Sequence, residues 1–208
     1  MKFVLASNNK KKIIEMRRIL AKIAPTAEIL SLSDIGFDGD IVEDGDSFRA
    51  NAIIKASVPA SLGYIGIADD SGLCVDALGG GPGVYSARYS GGGDGENNEK
   101  LLFELRDVPD GERGAHYECA IACVFPEKYG IGPIVAEGEC RGVILREYHG
   151  DGGFGYDPLF YRVEEGCTFG ELSPEDKDKV SHRGIALRRF AELLSPIIEK
   201  IEKQENEA

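Results

Sequence analysis

The N-terminal segment passes from a strand-like to a helix-like hydrophobic pattern. Residues 2–6 (KFVLA) form a short apolar run that is typical of a buried strand. Beyond it, Ile13, Met16, Leu20 and Ile23 recur at steps of three and four residues, which is the spacing of one helical face. The chain is therefore predicted to open with a strand followed by a helix.

The pattern of hydrophobic positions along the rest of the chain predicts interleaved strands and helices. Strands are expected at 27–32, 64–68, 115–125, 131–137 and 142–145. Helices are expected at 47–57, at 96–106, after Ser173 and across Ile185–Ile201. Loops are expected at 34–46, 79–95 and 150–157. Pro59 is expected to kink or end its helix, Pro196 to break the last helix, and residues 203–208 to form a solvated, flexible tail. Interleaving without strict alternation predicts a mixed α/β sheet.

Composition limits the class of protein. The chain has 208 residues, of which 42% are hydrophobic and 29% charged, and this balance is typical of a globular domain rather than a disordered, collagenous or membrane-embedded chain. The length suits one domain, 1–208. A net charge of −12 disfavours nucleic-acid polymers and anionic membranes as partners, so a polyanionic substrate needs a local basic pocket.

The cysteines and the N-terminus point to a cytoplasmic protein. The five cysteines are odd in number and form no CxxC pair, so free thiols in a reducing compartment are expected rather than a disulfide framework or a zinc site. On one strand, Cys119 and Cys123 share a face and are expected to pack in the core. The apolar run before Ser7 is too short for a signal peptide.

Common catalytic signatures are absent from the sequence. There is no Gly-Lys dipeptide, HExxH or GxSxG, and the three histidines show no metal-ligand spacing. One GxGxxG pattern begins at Gly150, but Tyr156-Asp157-Pro158 follows it instead of a helix, which argues against a dinucleotide-binding fold.

Two clusters in the first part of the chain carry candidate chemistry. Ser7, Asn9 and Lys12 lie at a strand-to-helix turn, which is either a phosphate cradle or a capped surface helix. Glu43 and the Asp69-Asp70 pair offer carboxylates for Mg²⁺, or else belong to a solvated acidic loop. Adjacent strand residues point in opposite directions, so one aspartate can face a cleft while the other braces the loop.

Two further clusters lie in the second part. Phe154, flanked by glycines, can present its ring to a flat base, or it can be a core residue in a tight turn. Lys177 with Ser181-His182-Arg183 can supply cations to an anionic, planar ligand, or can be a surface patch at a helix start. Together the four clusters match what a nucleoside triphosphate with Mg²⁺ requires.

Five motifs that carry these clusters resemble those of the inosine triphosphate pyrophosphatase-like family, over about residues 2–195. They are LASNNKKK (5–12), EDGDSFRANAIIKA (43–56), ADDSGLCVDALGGGPGVYSARY (68–89), GGFGYDPLF (152–160) and SHRGIAL (181–187). The resemblance implies Mg²⁺-dependent hydrolysis of ITP, dITP or XTP to the monophosphate and pyrophosphate. It also implies an elongated mixed α/β fold with two lobes around a central active-site cleft, and a homodimer.

Residue roles follow from the same resemblance. Asp70 would be the general base, and Glu43 and Asp70 would bind Mg²⁺, with Asp69 as a possible further ligand. Substrate would contact Ser7, Asn8, Asn9, Lys10, Lys11, Lys12, Ser71, Phe154, Gly155, Tyr156, Asp157, Lys177, His182 and Arg183. Two alternatives stay open: a non-catalytic nucleotide-binding protein on the same fold, and a house-cleaning phosphatase for modified pyrimidine triphosphates.

Overall fold

The computed structural model describes the backbone of residues 1–7 and 10–206. It describes their side chains except those of Lys10, Lys11, Lys12, Glu15, Arg18, Ile19, Ile23 and residues 204–206. The strands are β1 (Lys2–Leu5), β2 (Glu28–Ser31), β3 (Ile65–Val75), β4 (Gly114–Val124), β5 (Ile134–Ile144), β6 (Phe160–Arg162) and β7 (Cys167–Thr168). The α-helices are α1 (Lys10–Ile23), α2 (Phe48–Ser61), α3 (Asp94–Glu104), α4 (Pro174–Val180) and α5 (His182–Asn206).

The strands belong to one mixed sheet, in the order β2-β1-β3-β4-β5-β6-β7. β1 pairs in parallel with β2 and with β3, whereas β6 pairs antiparallel with β5 and with β7. The predicted mixed α/β sheet with flanking helices is confirmed.

The chain divides into two compact units. Unit 1 comprises Met1–Asp70, Ala120–Glu137 and Ala186–Ala208, and unit 2 comprises Ser71–Cys119 and Gly138–Ile185. The single two-lobed domain and the cleft between lobes, which the family resemblance implied, stay predictions.

Unit 1 buries aliphatic and aromatic side chains from its strands and from α5. Phe3 and Ile65 on the strands are almost wholly buried, as is Ile121 on β4. Along α5 the buried positions recur at helical spacing, at Ala186, Phe190, Leu194, Ile198 and Ile201. Cys119, at the unit boundary, and Cys123 are fully buried in β4, as their shared face predicted.

Unit 2 has an aromatic core. The ring centroids of Tyr117 and Phe160 lie 4.7 Å apart in an edge-to-face arrangement, and those of Phe160 and Phe169 lie 5.0 Å apart. Leu73 and Leu101 join the same buried cluster. This core supports the loop between β5 and β6, which carries Phe154.

The two proline predictions have different outcomes. Pro59 was expected to kink or end its helix, and α2 ends shortly beyond it, at Ser61. Pro59 lies in the last turn, so its missing N–H removes one helical hydrogen bond, but few residues follow it in the helix. Pro196 lies inside α5, and Ile198 and Ile201 beyond it are buried. Burial of these side chains offsets a local cost of about 3 kcal/mol.

Other boundaries also differ from the predictions. α5 extends through 206, so 203–206 are helical, whereas 207–208 lie outside the described residues. Within the expected loop 79–95, Gly83–Arg88 forms a 3₁₀ helix and α3 begins at Asp94. The two strands expected at 131–137 and 142–145 are the single strand β5. A Cβ at Gly142 would lie 2.6 Å from the Tyr161 carbonyl oxygen, so close pairing with β6 explains this glycine inside a strand.

In the part of the chain that the structure describes, no helix is long and apolar enough to span a membrane.

Candidate functional site

Helix α2 carries a buried stripe that contains two polar side chains. Ser47 caps the helix, its side chain accepting a hydrogen bond from the Ala50 N–H. The stripe runs through Phe48, Asn51, Ala52, Lys55, Ala56, Pro59 and Ala60. Asn51 and Lys55 are four residues apart and therefore point in the same direction, toward β3.

These side chains meet two acidic groups. The Lys55 ammonium lies 2.9 Å from Oε2 of Glu43 and 3.1 Å from Oδ1 of Asp70. Asn51 donates from Nδ2 to the other Asp70 oxygen at 3.2 Å, and its own oxygen accepts from the Gly45 N–H at 2.8 Å. We call Glu43, Asn51, Lys55 and Asp70 the carboxylate–lysine cluster.

Burial changes the acid–base properties of this cluster. Burial raises the pKa of Asp70, and the opposing attraction of Lys55 does not fully offset it. Burial alone would lower the pKa of Lys55, but Asp70 and Glu43 outweigh it and hold the ammonium charged. Asp70 is thus a carboxylate with raised basicity, held from two sides by a lysine and an amide.

A small pocket in unit 1 brings two further predicted residues together. Ser7 and Asp69 line it with Leu5, Ile13, Met16, Ile67 and Ala68, around an empty volume of about 210 Å³ that is partly open to solvent. Asp69 and Asp70 were expected just beyond a strand, but both lie inside β3. Asp69 is buried, whereas Asp70 faces the lysine. The expected alternation of the two carboxylates holds within the longer strand.

The basic turn before α1 is described only in part. α1 begins at Lys10, so a helix N-terminus stands at the predicted position. Asn8 and Asn9 lie outside the described residues, as do the side chains of Lys10, Lys11 and Lys12. Their predicted contacts with a triphosphate stay predictions.

In unit 2 the loop after β5 brings several predicted residues to one place. Asp157 is buried. Its Oδ2 accepts a hydrogen bond from the Phe154 N–H at 2.7 Å and forms an ion pair with Lys177. Gly153 has a φ of +79°, and a Cβ there would lie 2.1 Å from Oδ2 of Asp157. A glycine is therefore required for the turn that presents Phe154.

Two cations lie over the same ring. The Lys177 ammonium is 4.5 Å and the Arg183 guanidinium carbon 5.5 Å from the centroid of Phe154, whose side chain is 40% exposed. Arg183 also donates from Nη2 to the Ser71 hydroxyl at 3.2 Å. We call Ser71, Phe154, Asp157, Lys177 and Arg183 the aromatic–cation cluster. A half-open aromatic ring beside two cations suits a planar, anionic ligand.

Of the remaining predicted residues, Tyr156 and His182 have buried side chains, and Gly155 is held through its backbone. His182 stacks on Tyr117, with ring centroids 4.6 Å apart and planes 10° apart. Tyr156 is buried and donates from its hydroxyl to the Ser86 carbonyl at 2.8 Å. Gly155 is held by its backbone, since its N–H donates to Asp94 at 2.7 Å. Contact of these three residues with substrate stays a prediction.

Comparison with known proteins decides the family. The family model described as the Ham1 family matches residues 3–193. The chain belongs to the Ham1 family. The family resemblance read from the five motifs is thereby confirmed.

Relatives within the Ham1 family are similar over nearly their whole length. A dITP/XTP pyrophosphatase of Desulforamulus reducens is 48% identical over 199 residues, covering 94% of this chain and 96% of the relative. One of Clostridium perfringens is 45% identical over 206 residues, covering 95% and 98%. The solved Ham1 protein of Coxiella burnetii superposes with a TM-score of 0.87 at 38% identity, over 94% of this chain and 99% of that one.

Sequence reasoning missed Lys55 and Asn51, the centre of the carboxylate–lysine cluster. A signal was available, because both lie on the face of α2 that Ala52 and Ala56 mark as buried. A polar pair inside such a stripe needs buried partners. The Ham1 motif at 43–56 thus contributes an amide and an ammonium besides the predicted Glu43.

Proposed function

We propose that this chain is a nucleoside triphosphate pyrophosphatase that hydrolyses dITP, ITP and XTP to the monophosphate and pyrophosphate. Membership of the Ham1 family and the names of relatives at 45–48% identity support the reaction class. The observation that carries the proposal is the partly buried Asp70, held between Lys55 and Asn51. A generic acidic domain has no need of a carboxylate that is partly withdrawn from solvent and oriented from two sides.

Asp70 would act as the general base. Its raised pKa brings its basicity closer to that needed to take a proton from water, and its hydrogen bonds fix its direction. As the proton moves to Asp70, the water oxygen bonds to phosphorus and the α–β phosphoanhydride bond breaks. Lys55 would keep Asp70 ionised between turnovers and stabilise its orientation.

The donor set fits a magnesium ion. Glu43 and Asp70 both contact the Lys55 ammonium, so their hard carboxylate oxygens lie near each other, and Mg²⁺ takes one or two carboxylates together with substrate phosphates. We propose Glu43 and Asp70 as its protein ligands, with Asp69 as a possible third. When bound, the ion would neutralise charge on the phosphate oxygens. Reactions of nucleoside triphosphates generally require such a divalent cation.

Substrate recognition would use cations and a ring. Phe154 would stack on the base, with Lys177 and Arg183 supplying positive charge beside it. Hypoxanthine and xanthine carry an oxygen at C6 where adenine carries an amino group. Arg183 or His182 would donate to that oxygen and leave adenine mismatched. Ser7 and the residues from Asn8 to Lys12 would hold the triphosphate at the start of α1.

Pyrophosphate release, measured side by side, tests the proposal. The panel would contain ITP, dITP, XTP, GTP, ATP and a modified pyrimidine triphosphate, each with Mg²⁺ and again with chelator. The proposal expects rapid, Mg²⁺-dependent release from the first three and little from ATP. Release only from the pyrimidine would favour the pyrimidine phosphatase, and tight binding of ITP without release would favour a non-catalytic binder.

The proposed assembly is a homodimer, and free nucleotides rather than nucleic-acid polymers are the proposed partners. The acidic net charge of −12 supports the second point, because polymers need extended basic surfaces. Sedimentation of the full chain would test the dimer. The cytoplasmic location stays a prediction.

A further inference from the structure

One face of strands β3 and β4 in unit 2 carries a polar cluster that the proposed reaction does not use. Along these strands side chains alternate between the two faces. Leu73, Val75, Ala115 and Tyr117 point into the aromatic core. Cys74, between Leu73 and Val75, therefore lies on the opposite face, as do His116 and Glu118 on the neighbouring strand.

The three side chains are close enough to share one ion. Each of Cys74, His116 and Glu118 offers one ligand atom, and these atoms lie within 4.8 Å of one another. In a tetrahedral zinc site with bond lengths of about 2.0–2.3 Å, ligand atoms lie roughly 3.3–3.8 Å apart. Small side-chain movements would bring these atoms to that spacing. Among the described residues, no other group of three His, Cys, Asp or Glu ligands meets this distance.

His116 has one ring nitrogen committed and one without a partner. Nε2 lies 3.1 Å from Oε1 of Glu118, while Nδ1 is buried and makes no hydrogen bond to any described residue. The His116 side chain is 17% exposed, so an unsatisfied nitrogen there has a free-energy cost. A metal ion bound at Nδ1 would use that nitrogen's lone pair and remove this cost, and Glu118 would turn from Nε2 to bind the same ion. An ion bound at Nε2 would instead take the place of the Nε2 contact with Glu118 and leave the cost at Nδ1.

The surrounding charge also favours a cation. Burial first, and then Glu118, Glu139 and Asp76, raise the pKa of Cys74 to about 11. A cysteine thiol carries its proton at neutral pH unless a cation binds the sulfur. When a sulfur–metal bond forms, that proton leaves to solvent, and the thiolate and the Glu118 carboxylate together balance a divalent charge.

We propose that Cys74, His116 and Glu118 form a transition-metal site, with Zn²⁺ as the ion that fits best. Thiolate and imidazole ligands select Zn²⁺ or Co²⁺ over Mg²⁺, which needs oxygen ligands. Three protein ligands leave a fourth position, and Glu118, 43% exposed, opens the cluster to solvent for a water molecule. No sequence motif marks this site, because Cys74 lies on β3 whereas His116 and Glu118 lie on β4.

Metal titration of the full chain, freed of any affinity tag and of bound metal, tests the site. Zn²⁺ affinity would be measured by competition with a chromophoric chelator, in excess Mg²⁺ so that oxygen-only sites are occupied. Co²⁺ would report the ligands, since a thiolate–cobalt charge-transfer band and tetrahedral d–d bands are expected. Cys74→Ser and His116→Gln should each weaken Zn²⁺ binding by about 100-fold or more.

Matched controls separate this site from other sites. Cys167→Ser removes another thiol, and His149→Gln disrupts an exposed His–Glu pair in which Nε2 lies 3.6 Å from Glu147. Both should leave Zn²⁺ affinity within about twofold of the parent chain. Asp70→Asn should also retain it, which distinguishes this site from the proposed catalytic metal. Circular dichroism would verify that each variant folds, and His116→Gln tests the site if Cys74→Ser does not fold.

Three results would overturn the proposal. They are a Co²⁺ spectrum without a thiolate band, equal Zn²⁺ affinity in the parent, Cys74→Ser and His116→Gln, and loss of Zn²⁺ binding in Asp70→Asn instead. None of them depends on whether the chain hydrolyses a nucleotide.

Discussion

The ammonium group of Lys55 lies 3.1 Å from Oδ1 of Asp70, and both side chains are largely withdrawn from solvent. Their exposed fractions are 11% and 13%, so the pair interacts in a medium that screens charge poorly. Glu43 also contacts the Lys55 ammonium. The two carboxylates and the one ammonium together therefore carry a net negative charge. The arrangement would hold the proposed base in place, and its net negative charge would attract a divalent cation.

Removal of the carboxylate charge at Asp70 should abolish most turnover. Asp70→Asn keeps the size of the side chain, and its one remaining oxygen can still accept a hydrogen bond from Lys55. The amide is not basic enough to take a proton from water. We expect kcat for ITP to fall by about 100-fold or more. Asp107→Asn, at a side chain that is 86% exposed, is the matched control and should keep full activity. Near-normal turnover in Asp70→Asn would exclude Asp70 as the base.

The same variant should not lose stability at neutral pH in the absence of metal. Burial makes the pKa of Asp70 higher in the folded chain than in the unfolded chain, so folding favours its protonated form. The stability linked to this group is therefore present at low pH and is lost as pH rises through the folded pKa. Thermal melts of parent and Asp70→Asn at neutral pH should give similar or higher Tm for the variant.

Replacement of Lys55 should shift the pH dependence of the reaction. Lys55 lowers the pKa of Asp70 by charge attraction and by a hydrogen bond, in opposition to burial. In Lys55→Gln this attraction is lost, so the pKa of Asp70 rises further and the base is protonated over a wider range. The acid limb of the kcat/KM profile should move to higher pH, and activity at mildly alkaline pH should recover in part.

The pH profile distinguishes this role from a purely structural one. If Lys55 only stabilised the local structure, Lys55→Gln would lower kcat/KM by the same factor at every pH. Lys179→Gln, which removes an exposed ion pair with Asp176, is the control and should leave the profile unchanged. An unshifted acid limb in Lys55→Gln would contradict the proposed coupling.

The sequence predicted most of the fold because the main signals were local. The step of three to four residues predicted α1, and Ser47 and Ser173 predicted two helix starts that the structure confirms. The effect of Pro196 was misjudged, because its local cost is outweighed by the burial of Ile198 and Ile201, which no local pattern reveals. The sequence predicted two strands where the structure has the single strand β5, because the continuity of β5 depends on pairing with other strands.

The candidate site shows the same division between local and tertiary information. Motif residues such as Glu43 and Phe154 could be named from their flanking sequence. Lys55 could not, because its role depends on which carboxylates α2 brings it against. The stacking of His182 on Tyr117 likewise requires knowledge of how α5 meets β4 within unit 2.

Loss of the ring at Phe154 should weaken substrate binding more than catalysis. Phe154→Leu keeps an apolar side chain but removes the surface on which a base would stack, an interaction of about 1–3 kcal/mol. We expect KM for ITP to rise about fivefold or more while kcat changes little. Phe103→Leu is the matched control, since Phe103 is also exposed and has a guanidinium 4.2 Å from its ring centroid. Equal KM values in both variants would remove Phe154 from the base site.

Arg183 should control which base is accepted. Its guanidinium donates to Ser71 and lies over the Phe154 ring, and the residue is only 8% exposed, so its donors are fixed in direction. If these donors meet the C6 oxygen, Arg183→Ala should lower the ITP-to-ATP ratio of kcat/KM by about tenfold or more. Arg183→Lys keeps the charge but not the planar set of donors, and should not restore the ratio. A parallel fall in activity on ITP and ATP in Arg183→Ala, which Arg183→Lys restores, would instead assign Arg183 to the phosphates.

Arg106→Ala is the control for the loss of a surface charge. It removes a comparable guanidinium from the exposed Phe103 ring and should leave both activities unchanged.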